Sequence, residues 1–223
     1  MHVSGYGSST LLATLQTGGA DSLFQTIIAN NHARVQARIS QAMKNITPGK
    51  DVAEYEKVTN SADSVTEAMN ALEDEKLWDT ESEDFSMDTL VSKITNFTNA
   101  YNNMLTNIDK VGKTVKSEYS PELSAILSHF GEDLSAVGVT VGSDGKLLVD
   151  ADKMKSAEVS KLKELFGKDA EFAKTLKAEI TDLNEVVSQA VSIQNKLSGL
   201  YNSSSSSVDY STLLGGNTFD SVG

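Results

Sequence analysis

Three stretches of this chain place an apolar residue at every third or fourth position, and that spacing constrains the fold more than any other feature. Tyr55, Val58, Ala62, Val65, Met69 and Leu72 form the first stretch. Leu90, Ile94, Phe97, Tyr101, Leu105, Ile108 and Val111 form the second. Leu176, Ile180, Leu183, Val187, Ala190, Gln194 and Leu197 form the third. A period near 3.6 gathers such residues on one face of an α-helix. The third stretch reads as three heptads of a coiled-coil seam with Gln194 as its polar position. Pro48 and Pro121 are the only prolines, so long runs pass without a helix breaker. An earlier stripe, Leu23, Ile27, Ile28, Val35, Ile39, Ala42 and Ile46, predicts a helix capped by Asp21 and stopped by Thr47-Pro48-Gly49.

Shorter signals fill the rest. Asn96, Asn99, Asn102, Asn103 and Asn107 share the second stretch. Asparagine is a poor helix former, so this helix is expected to depend on tertiary packing and on side-chain hydrogen bonds to a neighbour. Ser120-Pro121-Glu122 reads as a helix start, with Gly131 closing that helix. Val137, Val139 and Val141 alternate with small residues, Ser143-Asp144-Gly145 turns the chain, and Lys146 to Val149 returns, which predicts a β-hairpin. Asp150 then caps a helix that turns Met154, Val159, Leu162, Leu165 and Phe166 inward.

The expected fold is therefore mainly α: an elongated helical bundle or coiled coil with one small β-hairpin subdomain. Residues 1–20 read as a flexible arm, 21–118 as the long helices, and 119–168 as a helix-hairpin-helix subdomain. Residues 169–201 read as a C-terminal coiled-coil helix, and 202–223 as a Ser/Gly-rich tail.

Composition narrows the function. A net charge of -12 repels nucleic acid and anionic membranes. No apolar run approaches the roughly 20 residues that span a bilayer. Met1 to Gly19 lacks the basic region and apolar run of a secretory signal peptide. The absence of cysteine excludes disulfides, thiolate metal sites and cysteine nucleophiles. His2, His32 and His129 are scattered, and no partners stand at catalytic or ligand spacing. Aligning Gly145 with the glycine of a calcium loop puts Thr140 and Gly142 at ligand positions and Ala151 at the last, so that pattern fails. The acidic run Glu73, Asp74, Glu75, Asp79, Glu81, Glu83 and Asp84 reads as a solvated loop. No catalytic, cofactor or metal residue is expected, and the chain does not read as an enzyme.

Three pieces between Met87 and Leu183 resemble the helical region of bacterial flagellar filament-capping (hook-associated) proteins. One is Ile94-Thr95-Asn96-Phe97-Thr98-Asn99-Ala100-Tyr101-Asn102, similar to that family's Ala-Tyr-Asn helix. Another is Leu134 to Thr140 followed by Asp144-Gly145-Lys146-Leu147-Leu148-Val149-Asp150, similar to its glycine-containing strand, Asp-Gly turn and acidic helix cap. The third is Leu165-Phe166-Gly167. The order and spacing of the three agree with the family. Its members carry large β-rich domains ahead of this region; here residues 51–85 stand in that place and read as helix.

The resemblance implies a structural, self-assembling flagellar component, exported without a cleaved signal peptide and extracellular. Its expected partners are copies of itself and flagellin or other axial proteins, with no nucleic acid and no membrane insertion. The candidate packing or assembly face is Leu90, Ile94, Phe97, Tyr101, Leu105, Ile108, Leu176, Ile180, Leu183, Val187 and Leu197. The alternative is a cytosolic helical export chaperone or adaptor.

Overall fold

The computed structural model describes residues 35, 37–39, 52–111 and 113–202. Apolar periodicity dictates most of what is seen. Helix α1 spans Val52–Asn70 and buries Tyr55, Val58, Ala62, Val65 and Met69. A 3-10 turn, Glu75–Trp78, folds the chain back, and the Trp78 indole N–H donates to the Leu72 carbonyl at 2.8 Å. Helix α2, Met87–Ile108, starts at Ser86, whose hydroxyl accepts from the Thr89 N–H and so satisfies one orphan amide of the first turn.

Helix α3 spans Lys113–His129. It starts about two turns ahead of Ser120, so Ser120-Pro121-Glu122 is not its N-terminus and Pro121 lies inside it. The preceding turns are held by burial of Val115 and Tyr119, four residues apart on one face, which overrides the local start signal. Gly131 does not close a helix; it opens α4, Gly131–Ala136, after a break at Phe130.

Strands β1, Val139–Val141, and β2, Leu147–Val149, pair antiparallel, with Val139 opposite Val149 and Val141 opposite Leu147. Gly145 takes a positive φ of 77° in the turn, the conformation an Asp-Gly pair supplies at little steric cost. Asp150 accepts from the Lys153 N–H and caps α5, Ala151–Ser156. The predicted helix over Met154 to Phe166 is two helices, because Ala157 and Glu158 are extended before α6, Val159–Phe166. Val159 is only partly buried, against the core. Helix α7, Glu171–Asn202, completes the described chain.

α1 packs along both α2 and α7. It runs antiparallel to α7: Asn184 donates to Asp63 at 2.6 Å, and one heptad further along Lys177 reaches Asn70 at 2.6 Å and Glu73 at 2.5 Å. Asn107 of α2 donates to the Lys57 carbonyl of α1 at 3.3 Å. β2 and α5 lie on α2, α3 leans on α7, and α6 packs between α7 and the 3-10 turn. One continuous apolar cluster links these layers. The fold is mainly α with one small β-hairpin, as the apolar periodicity predicts.

Candidate functional site

The expected packing faces lie inside the chain's own core. Leu90, Ile94, Phe97, Tyr101 and Ile108 of α2 are at most 1% exposed, and Leu105 is 7% exposed. Leu176, Ile180, Leu183 and Val187 of α7 are each 0% exposed. Leu197 belongs to α7, but its side chain lies outside the described residues. These stripes meet α1 rather than solvent, so within this chain they are already filled. Burying each Leu or Ile contributes about 1.5–3 kcal/mol. Across the described residues, Leu148 is the large apolar side chain left exposed, at 60%.

The motifs that are separate in sequence meet in space. The Asn102 side chain of α2 makes a paired contact with Leu147 of β2, 45 residues on. Its Nδ2 donates to the Leu147 carbonyl at 2.8 Å, and its Oδ1 accepts from the Leu147 N–H at 2.8 Å. The register explains the geometry. Asp150 N–H bonds the Gly138 carbonyl and Gly142 N–H bonds the Lys146 carbonyl, so Leu147 sits at a pair whose backbone groups point away from β1. The asparagine face expected to bond a neighbour thus does so at Asn102 and Asn107, while Asn96, Asn99 and Asn103 remain exposed. Tyr101, next to the clasp, is fully buried, and burial raises its hydroxyl pKa above the ordinary value. Phe166, from the third motif, joins a ring cluster with Phe97 and Phe172 at centroid distances of 5.9 Å and 5.8 Å. Phe130 meets Phe172 at 5.4 Å, so four aromatic side chains join α2, the end of α3, α6 and α7.

No family model, curated protein or solved structure matches this chain.

Sequence periodicity missed a second constellation, a buried charge cluster around Arg38. Arg38 is 4% exposed, between the buried Val35 and Ile39. Its guanidinium bonds Glu122 of α3 and Asp182 of α7, and reaches Glu179 of α7 at 3.2 Å. Glu118 lies at 3.8 Å, and the Tyr119 ring stacks under the guanidinium with the centroid 4.4 Å from Cζ. The Tyr119 hydroxyl donates to Asp182 at 2.7 Å. Burial alone would lower the Arg38 pKa, but Glu179 foremost, with Tyr119, Glu122 and Asp182, outweighs it and holds the guanidinium charged. Burial likewise keeps the Tyr119 hydroxyl protonated, well above its ordinary pKa, which suits a donor to a carboxylate. A signal existed in the sequence: Arg38 falls on the same helical face as Val35 and Ile39. Glu179 and Asp182 sit beside Leu176, Ile180 and Leu183, at spacings that read as apolar.

Other chemistry is modest. The acidic run builds turns and surface pairs: Asp74 accepts from the Lys76 N–H, Glu75 pairs with Lys163 at 2.7 Å, and Glu73 with Lys177. Among the described residues no group of three or more His, Asp or Glu is placed to hold a metal ion. No helix among them is long and apolar enough to cross a membrane. A cleft beside Met69, Glu73 and Lys177 leaves room for about 20 Å³, and one beside Leu72 and Phe97 for about 10 Å³. That is roughly the space of one water molecule each. His129 is exposed; His2 and His32 lie outside the described residues.

Proposed function

We infer that the chain is a structural, self-assembling subunit of a bacterial flagellum or a flagellum-like appendage, of the filament-capping kind. One observation carries the reading. The Ala100-Tyr101-Asn102 segment clasps the Asp144-Gly145 hairpin across 45 residues of sequence, so the resembling motifs act as one packed unit. Association between subunits uses surfaces other than the α2 and α7 stripes, whose described side chains are spent on the chain's own core. Among the described residues, the outer face of the hairpin, where Leu148 is 60% exposed, is the apolar contact point available to a neighbouring subunit. Leu148→Asp should therefore weaken self-association, read by analytical ultracentrifugation, while leaving the helical circular dichroism unchanged.

The deciding experiment is quantitative mass spectrometry of appendages sheared from intact cells, compared with cytosol. Enrichment beside flagellin is the expected result. Confinement to the cytosol would overturn the reading and favour an export chaperone or adaptor.

A further inference from the structure

The buried cluster has features of a ligand seat rather than of ordinary packing. Glu122, Glu179 and Asp182 are at most 1% exposed, and all three turn oxygens towards one guanidinium. The guanidinium is planar, presents five donors in a fixed fork and lies flat on an aromatic ring, whereas a compact ammonium offers three rotatable donors and no flat face. Tyr119 supplies an aromatic face 4.4 Å below it. The acids and the aromatic face come from α3 and α7, whereas the cation comes from a segment ahead of α1.

α3 is also built unevenly around this seat. Pro121 has no N–H, so one helical rung is missing beside Glu122. On the C-terminal side of that gap, Leu123, Ile126 and Leu127 are at most 1% exposed and anchor the helix in apolar core. On the N-terminal side, Val115 is buried in the same core, while Glu118 and Tyr119 meet the guanidinium and Tyr119 reaches Asp182.

We propose that the space between α3 and α7 is a guanidinium-binding seat whose resident ligand is Arg38, and that the N-terminal half of α3 swings at Pro121 when the seat is vacated. The seat recognises a guanidinium carried on an apolar stem, and filling it locks the segment bearing Val35, Arg38 and Ile39 to the body of the protein. This inference does not depend on the flagellar reading.

The test is hydrogen–deuterium exchange by mass spectrometry on the full chain. In the native protein, amides of residues 113–120 should exchange faster than those of 122–129, with the boundary at Pro121. In Arg38→Ala, residues 113–120 should lose at least about tenfold in protection while the α2 amides keep theirs. Millimolar ethylguanidinium should restore that protection, and ethylammonium at the same concentration should not. Arg38→Lys, which keeps charge and stem, should show a smaller loss over the same residues and covers the case in which Arg38→Ala does not fold. Exchange of 113–129 as one unit in the native protein would overturn the hinge. Equal rescue by both cations, no rescue by either, or full protection in Arg38→Lys would overturn the seat.

Discussion

Asn102 and the buried tyrosines are the side chains on which single substitutions speak most directly. Asn102→Ala removes both bonds to Leu147 and leaves two half-buried backbone groups without them. The expected cost is about 2 kcal/mol in urea denaturation, with selective loss of protection at the Leu147 amide. Asn103→Ala, at an exposed position on the same helix, should change stability by less than about 0.5 kcal/mol. Tyr101 and Tyr119 both have pKa values raised by burial. A group raised in the folded state contributes stability that is complete below its unfolded pKa and lost as pH climbs towards the folded value. Ultraviolet difference spectra should therefore show these two staying neutral past about pH 10, where an unperturbed tyrosine ionises, until the protein unfolds. The aliphatic stripes were legible at this scale. The partner of each buried polar group was not, because Arg38, Glu122, Glu179 and Asp182 come from three remote segments and periodicity carries no pairing information.

Elements were read well where one physical cause acts alone. The hairpin follows from valine alternation and an Asp-Gly turn, and the Asp150 cap from one oxygen facing one first-turn amide. Reading failed where tertiary burial competes with a local signal. Ser120-Pro121-Glu122 has the chemistry of a helix start, yet Val115 and Tyr119 draw the preceding turns into the core and carry the helix through the proline. The break at Ala157 and Glu158 has neither glycine nor proline to announce it. Gly138 marks where β1 is tied to α5. Its φ is 88°, and an added Cβ would sit 2.8 Å from the Asp150 carbonyl oxygen and 2.9 Å from the Met154 nitrogen. Both neighbours are backbone and have little room to yield. Gly138→Ala should cost about 2–4 kcal/mol, measured by thermal unfolding, and should loosen exchange across α5 more than in α1.

At the scale of the whole molecule, α1 and its antiparallel contacts with α2 and α7 form the scaffold that the other elements decorate. Leu183 sits within it at 0% exposure. Leu183→Asp buries a carboxylate in apolar surroundings and should cost more than about 4 kcal/mol, so helical circular dichroism should collapse rather than only association. A variant that keeps its full helical signal would sink this account of the core. The mainly α architecture was legible because it needs only periodicity. That the stripes are spent within one chain was one of the two arrangements the sequence offered, since the same heptads suit pairing within a chain or between chains. The Asn102 clasp has a consequence at this scale as well. Its amide stands where a third strand would lie, but a strand offers a ladder of groups and a side chain offers one donor and one acceptor. It therefore answers Leu147 and passes nothing on. On the β2 flank the sheet is thus closed at Leu147, which removes that rung as a start for strand addition.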